Sequence, residues 1–471
     1  MFYKLRQNYI LRGWDKTAWV LVHRPQNNYK KLNSVEFQVL LLCDGKTDFE
    51  DDRYLTDEMK LSLKKLESEK IVEACEYGNS LNEEQYYRYY KNRFVRSIFW
   101  SITGKCNFRC RHCFMDAPEG ALGELSHKQA MNLIDQMAEC GVLRVDITGG
   151  EPFIRQDFWQ LIDRIQDHKM IIGQIYTNGW LITNTILDQF ERRKLKPQFN
   201  VSFDGLGWHD WMRNIKGAEE RALQAIELCN RRGFQVSVSM CIHKGNRDSI
   251  QETVKKLADA GVFAIKIGNI TPTSLWKRNS EGNSLNVCEY IEAMLKYIPR
   301  FFKDGMPVNV MLTGIISLYK GSLKYRIIPE TYSGSEECLD YLLCGAARYA
   351  CYITPEGRLL PCMPMTACKE QKQFPLVQDI GLKQGLSDSF YMKFVDSRVK
   401  DLLEVNEQCA SCEYKYQCGG GCRAVALEQT GDLMGCDGDQ CLLWNEGYVD
   451  RIRETADKAI AKYCSDTVEA Q

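Results

Sequence analysis

Net charge is what this sequence most lacks. Its 471 residues carry 61 Lys and Arg against 62 Asp and Glu, a balance of −1. A dedicated nucleic-acid binder shows a clear basic excess, so that class is disfavoured. No run of about 18 apolar residues occurs, which argues against a membrane span. The opening Met1-Phe2-Tyr3-Lys4-Leu5-Arg6 turns polar by Asn8 and has no signal-peptide core, so a cytoplasmic protein is expected. There is no long low-complexity linker and no repeat of fixed period. The length suggests about three domains. What the chain does have is cysteine, 21 of them. In a long chain from a reducing compartment, that number points to metal ligation rather than disulfides.

The cysteines are uneven. Only Cys43 and Cys75 precede residue 100, three crowd between 106 and 113, and eleven fall between 338 and 441. Three regions follow. In 1–94, Thr17–His23 reads as a strand and Arg24-Pro25-Gln26-Asn27-Asn28 as the turn after it. Asn33 caps a predicted helix bearing Val35, Phe37, Val39, Leu40 and Leu41, and Asp44-Gly45 stops it. Thr56 caps a second helix, with Met59, Leu61, Leu63 and Leu66 among its apolar positions. Ile71-Val72-Glu73-Ala74 closes the unit, a winged-helix-like pattern.

In 95–325, predicted strands at 95–103, 143–148, 171–177, 198–203, 235–242 and 263–268 alternate with predicted helices at 127–139, 156–167, 183–193, 218–232 and 248–260. Such alternation implies an α/β fold with a parallel sheet and crossovers. Ligands then gather at the carboxyl ends of the strands. Region 326–471 is loop-rich and Cys-rich, as expected where metal centres supply part of the fold. The lone cysteines Cys140, Cys229, Cys241 and Cys288 read as buried small hydrophobes, and Trp14, Trp19, Phe99 and Trp100 as core.

The strongest local signal is Cys106-Asn107-Phe108-Arg109-Cys110-Arg111-His112-Cys113, just after the first barrel strand. Three thiolates at C-x3-C-x2-C spacing can hold three irons of a [4Fe–4S] cluster and leave the fourth open. A structural zinc site usually takes four protein ligands, and no fourth with zinc-like spacing is close. This triad, with His112 directly before its last cysteine, resembles the radical S-adenosylmethionine (SAM) superfamily. Further motifs follow in order at strand ends. They are Gly149-Gly150-Glu151-Pro152, Thr177-Asn178-Gly179, Ser202-Phe203-Asp204-Gly205, Asn246 and Ile267-Gly268-Asn269.

The resemblance covers about 95–320 and implies a partial (β/α)6 TIM barrel. It implies a cluster on Cys106, Cys110 and Cys113 whose open iron chelates SAM. Gly149, Gly150, Glu151 and Pro152 would hold the methionine amino group. Asn178, Ser202, Asp204, Asn246 and Gly268 complete the implied cofactor contacts, Ser202 and Asp204 toward ribose or methionine and Gly268 near adenine. Reductive cleavage of SAM would yield a 5′-deoxyadenosyl radical that takes hydrogen from unactivated carbon.

Cys409, Cys412, Cys418 and Cys422 form C-x2-C-x5-C-x3-C. Upstream lie Cys344, Gly357 and Cys362, and downstream lies Cys441. This set resembles the SPASM extension of radical SAM peptide and protein maturases, over about 335–445. It implies two auxiliary [4Fe–4S] clusters. One takes Cys344, Cys362 and Cys422, with Cys351 as candidate fourth ligand or that corner open for a substrate thiolate. The other takes Cys409, Cys412, Cys418 and Cys441, the last preferred over Cys436.

The stretch Leu32 to Thr47 resembles PqqD-like peptide-recognition domains, which bind the leader of a ribosomal precursor peptide as an added strand. The expected function is therefore radical SAM maturation of a ribosomal precursor peptide held through its leader. A thioether is the first choice, other crosslinks stay open, and a flavodoxin or ferredoxin would supply electrons. Neither nucleic acid nor membrane is an expected partner, and no catalytic side chain is assigned.

Two alternatives are weaker. Anaerobic sulfatase maturases, which form formylglycine, generally place Asp after the cysteine matching Cys362, where this chain has Met363. A zinc-stabilised peptide- or nucleic-acid-binding protein would not explain a SAM-binding barrel.

Overall fold

The computed structural model describes residues 1–464 apart from 16, 25–27, 52, 54, 94–95, 116–122, 272, 333 and 388. Most of the predicted turn at Arg24 to Asn28 and the expected boundary at 94–95 thus lie outside the described residues.

The N-terminal region runs β1 (Phe2–Leu5), β2 (Tyr9–Trp14), β3 (Thr17–His23), β4 (Asn28–Lys31), α1 (Ser34–Leu42), β5 (Asp44–Asp48), α2 (Asp57–Ser68), β6 (Val72–Cys75) and β7 (Arg88–Tyr90). One sheet has the order β5-β1-β6 and the other β4-β3-β2-β7. Helix α1 starts where expected. The Asn33 side chain accepts the Glu36 N–H, and the Glu36 carboxylate accepts the Asn33 N–H. Thr56 caps α2 in the same sense, accepting the Met59 N–H. Phe37, Val39 and Leu40 from α1 and Met59, Leu63 and Leu66 from α2 close over Leu5, Leu11, Leu21 and Val72, a core of their own.

Three expectations change here. Asp44–Asp48 is a strand rather than a mere helix stop, paired to β1. Leu61 is 70% exposed because it lies on the opposite face of α2 from Met59 and Leu63. Trp19 is at the surface, stacked on Phe37 at 5.3 Å.

The central region runs β8 (Ser97–Ser101), α3 (His127–Glu139), β9 (Arg144–Thr148), α4 (Phe158–Asp167), β10 (Ile171–Thr177), α5 (Asn184–Arg192) and β11 (Gln198–Ser202). It continues α6 (His209–Arg213), α7 (Ala218–Arg231), β12 (Val236–Ile242), α8 (Ile250–Asp259), β13 (Ala264–Asn269), α9 (Ser274–Asn279), α10 (Val287–Lys303), β14 (Asn309–Leu312), β15 (Ile316–Leu318) and β16 (Tyr325–Ile327). After α11 (Gly345–Tyr349), β17 (Ala350–Ile353) and β18 (Leu359–Leu360) join the same sheet.

Strands β8 to β14 run parallel in chain order, as an open, partial TIM-type barrel. Strand β17 adds parallel to β8 at the other edge, Cys351 opposite Ile98. The region expected to be loops therefore contributes to the barrel sheet. Val145, Ile147, Val201, Val236, Val238, Ile265 and Ile267 are all buried, because helices cover the sheet. Parallel strands bring their carboxyl ends to one side, where the motifs stand. Beyond residue 336 the chain folds mainly as short helices, and a final helix, Tyr448–Tyr463, packs along α10. Among the described residues, no helix is long and apolar enough to cross a membrane.

Candidate active site

The cysteine loop after β8 is fixed from two sides. On one side the Arg111 N–H donates to the Met212 carbonyl at 2.9 Å. The Arg111 guanidinium donates to the Trp211 carbonyl (3.0 Å) and Glu281 (2.7 Å), lying over the Trp211 ring. On the other side stands the turn after β9. Gly150 donates its N–H to Thr103 O (2.8 Å) and Glu151 its own to Lys105 O (2.9 Å). A Cβ on Gly150 would stand 2.0 Å from Lys105 O and 3.0 Å from Cys106 Cβ. Glycine is needed there because the two backbones nearly touch. Gly149 adopts φ +155°, and Pro152 opens a short 3-10 turn.

Glu151 is fully buried. Its carboxylate accepts the Thr177 hydroxyl (3.0 Å to each oxygen) and the N–H groups of Asn178 (2.9 Å) and Phe153 (3.3 Å). Burial pushes its pKa up to about 7 despite these donors. Its oxygens are committed to the end of β10 and to its own turn. The Asn178 amide donates to Asn107 Oδ1 at 2.8 Å, tying β10 to the cysteine loop. Arg155, which sequence reasoning missed, is almost wholly buried. It donates to the Ile102 and Leu125 carbonyls and pairs with Asp157 at 2.6 Å, bracing the strand that feeds the loop.

Behind the loop, Asp204 follows β11 with no exposure. Its Oδ1 accepts the Cys241 N–H (3.0 Å), and Arg213 Nε lies 2.7 Å from Oδ2. Burial opposes the charge, but Arg213 holds the carboxyl well below the usual carboxylate range. His209 Nδ1 accepts the Asp204 N–H at 2.9 Å, so that nitrogen carries no proton. Its 3.4 Å approach to Asp204 Oδ2 is therefore no ion pair.

Burial depresses all three nearby imidazoles, His112 to about 3 and His243 to about 4, so they are neutral at pH 7. Asn246 donates to the Asp204 and Cys241 carbonyls (2.6 and 2.9 Å) and accepts the His243 N–H (2.7 Å), locking β11 to β12. Ser202 pairs with Ser239 and Gly268 with Cys241 in the sheet register. His112, Asp204 and Cys241 bring ligand atoms within 4.8 Å of one another. Arg213 already holds the shared carboxylate, so a cation there would face a guanidinium.

The C-terminal cysteines gather in two groups. Cys344, Cys362 and Cys422 each stand directly before a helical turn. Their sulfurs face first-turn N–H groups of Ala346 and Ala347, of Met365, and of Ala424 and Val425. Burial raises the pKa of all three thiols, and these N–H groups partly oppose that rise. Cys362 feels the Cys422, Cys344 and Cys368 thiols.

Cys351, the candidate fourth ligand, sits on β17 with its thiol against Tyr391, whose hydroxyl also neighbours Cys344 and Cys362. Cys368 stands beside Cys362 and Cys422.

The second group holds five thiols. Cys409 and Cys436 bring their sulfurs to 3.7 Å. Cys441 lies beside Cys436, Cys412 and Cys418. Cys441 and Cys436 are thus both present. Gly419, Gly420 and Gly421 all have positive φ, and Cβ atoms there would meet Tyr332, Leu402 and Asp437 within 2.0–2.6 Å. This accounts for the three glycines between Cys418 and Cys422.

Residues 100–257 match the radical SAM superfamily. The chain carries a radical SAM domain and is an enzyme. It is similar to the AdoMet-dependent heme synthase of Methanosarcina barkeri, 25% identical over 365 residues, covering 72% of this chain and 94% of that protein. It is similar to the mycofactocin maturase MftC of Mycolicibacterium smegmatis, 26% identical over 335 residues, covering 70% of this chain and 78% of that protein. Its fold is similar to that of Streptococcus suis SuiB bound to S-adenosylmethionine. The TM-score is 0.63 at 16% identity, over 93% of this chain and 100% of that one. SuiB has also been solved with its precursor peptide SuiA, matching here with a TM-score of 0.61 at 15% identity.

The superfamily binds a [4Fe–4S] cluster and SAM, and the residues present fit that pair. Three thiols share one loop, and burial raises the pKa of two of them, Cys106 to about 12. The Phe108 N–H donates to Cys106 Sγ at 3.4 Å, and Arg213 Nη1 donates to Cys110 Sγ at 3.7 Å. Buried sulfur with such donors is suited to a metal-bound thiolate.

Proposed function

We propose that this chain is a maturase that crosslinks a ribosomally made precursor peptide. Residues 1–94 would grip the leader as a PqqD-like unit, 95–325 would house the radical chemistry, and 326–471 would form a SPASM region with two auxiliary clusters. One observation carries the proposal: an N-terminal unit with its own core precedes the barrel, and two groups of thiols follow it. The likeness of fold to SuiB, a protein solved with a precursor peptide, spans all three parts. The maturase MftC among the relatives supports the same reading.

Cys106, Cys110 and Cys113 would hold the SAM-binding cluster. Cys344, Cys362 and Cys422 with Cys368, and Cys409, Cys412, Cys418 and Cys441, would hold the auxiliary ones. When bound, these groups supply a 5′-deoxyadenosyl radical to take a hydrogen atom and an acceptor for one further electron.

The chain itself supplies position and dryness. The Gly149-Gly150 turn and Asn178 fix the cysteine loop. Trp208, Trp211 and Trp276 gather around neutral His243 at the end of β12, an aromatic wall beside that loop. Such a wall keeps water from a reactive species. A substrate thiol or other attacking group would lose its proton as the new bond to carbon forms.

A second reading, a heme-forming enzyme, draws on the heme synthase relatives. One experiment separates the two. The anaerobically reconstituted protein is incubated with SAM, reductant and any short peptide found encoded beside its gene, and in parallel with a tetrapyrrole. Release of 5′-deoxyadenosine together with loss of two hydrogens from the peptide supports maturation. Turnover of the tetrapyrrole with an unchanged peptide refutes it.

A further inference from the structure

Arg213 touches both the cysteine loop and the Asp204 carboxylate. It closes α6 with 8% of its surface exposed, and its guanidinium has two close partners. Nε lies 2.7 Å from Asp204 Oδ2, and Nη1 donates to Cys110 Sγ at 3.7 Å. The three groups form a run of carboxylate, guanidinium and thiol.

Each member is fixed independently. The Cys241 N–H holds the Asp204 carboxylate, and Asn246 holds the Asp204 carbonyl. The helix that carries Arg213 is pinned to the cysteine loop one residue earlier, where Arg111 donates its N–H to Met212 O. The contact with the Cys110 sulfur thus places a guanidinium directly on one of the three loop thiols. In an interior of low dielectric, a fixed charge against a ligand sulfur acts strongly.

We infer that Arg213, aimed by Asp204, raises the reduction potential of the cluster on Cys106, Cys110 and Cys113 by placing a buried positive charge and an N–H donor on one of its three sulfurs. This rests on the cluster assignment proposed above. Reduction adds negative charge to a cluster, and hydrogen bonds and nearby charge at its sulfurs set its potential. The Asp204 carboxylate partly cancels the guanidinium. The pair therefore tunes the potential, and loss of either partner should move it, in opposite directions.

The test is a potentiometric titration of the full-length, anaerobically reconstituted protein without SAM. It follows the paramagnetic signal that later addition of SAM perturbs, which picks out this cluster among several. At a fixed potential, Arg213→Met should lower the reduced-to-oxidised ratio about tenfold, equivalent to 59 mV for one electron. Arg213→Lys, which keeps the charge, should restore most of the ratio, and Asp204→Asn should raise it. Full iron with an unshifted titration in Arg213→Met would overturn the inference, even if SAM binding weakened, since the arginine would then serve the SAM carboxylate. Loss of this cluster from the Lys and Met variants alike would also overturn it, by making the role structural. A wild-type protein with no SAM-responsive signal would instead sink the cluster assignment beneath it.

Discussion

Replacing Gly150 by alanine tests whether the turn after β9 sets the position of the cysteine loop. The added Cβ would stand 2.0 Å from Lys105 O, whereas real Cβ contacts essentially never fall below 3.0 Å, so the two backbones must part by about 1 Å. Neither contacting atom is the end of a flexible side chain. Parting them stretches the Glu151–Lys105 bond of 2.9 Å and the Gly150–Thr103 bond of 2.8 Å beyond hydrogen-bonding range. Two backbone bonds at about 1 kcal/mol each, with an overpacking cost of about 1–3 kcal/mol, put the local destabilisation at about 3–5 kcal/mol. Cys106 Cβ, 3.0 Å from the new carbon, moves with its loop. A displacement of that size at a reacting centre costs about a hundredfold in rate. The assay is iron content and SAM-perturbed electron paramagnetic resonance after reconstitution, followed by 5′-deoxyadenosine release. Full iron, an unchanged signal and wild-type release in Gly150→Ala would refute the claim that this contact positions the loop.

Three further outcomes are expected. Cys368→Ala should lower iron by up to about four per chain, whereas Cys351→Ala should keep the wild-type count; the reverse pattern would restore Cys351 as the ligand. Cys418→Ala should leave some uncoupled SAM cleavage while stopping product, and equal loss of both would remove the separate role of the second thiol group. Glu151 has its pKa pushed by burial from 4.5 to about 7. The folded state therefore binds a proton that the unfolded chain releases, and stability falls as pH rises from about 4.5 through 7, by about 3 kcal/mol. Glu151→Gln should flatten that slope in denaturant melts across the window, and an unchanged slope would mean the carboxyl is ionised throughout.

The barrel was legible because its physics is local. Each parallel strand carries buried apolar residues at alternate positions, such as Val145 and Ile147, Val236 and Val238, and Ile265 and Ile267. Helices such as α3 and α5 open at Ser126 and Thr183, whose side chains accept N–H groups of the first turn. Strand β5 was not legible. Asp44-Gly45-Lys46-Thr47-Asp48 has no apolar alternation, and antiparallel pairing with β1 at the start of the chain makes it a strand. Arg155 and Arg213 escaped for a related reason. A charged side chain in a sequence reads as solvated, and both are buried only because distant carbonyls, Asp204 and Cys110 accept from or pair with them.

The cysteines show where spacing stops being informative. Cys351 lies seven residues after Cys344 and eleven before Cys362, closer in sequence to both than Cys422 is. Yet spacing fixes only where a thiol sits along the chain, not the direction in which it points. Cys351 lies within a strand, where side chains alternate between faces, and the pairing of Cys351 with Ile98 sends it to Tyr391. Cys344, Cys362 and Cys422 stand at the starts of helical turns, where N–H groups converge on sulfur. Cys368 lies between two 3-10 turns and donates to Ala424 O at 3.6 Å, which brings it against the turn that Cys422 opens. Local backbone form thus separates the cysteines that open or close helical turns from the one set within a strand. A Cys351→Val variant tests this. It should pack with little change, keep its iron and leave the paramagnetic signals of the auxiliary groups where they were, whereas loss of an auxiliary signal would show that the strand cysteine is a ligand after all.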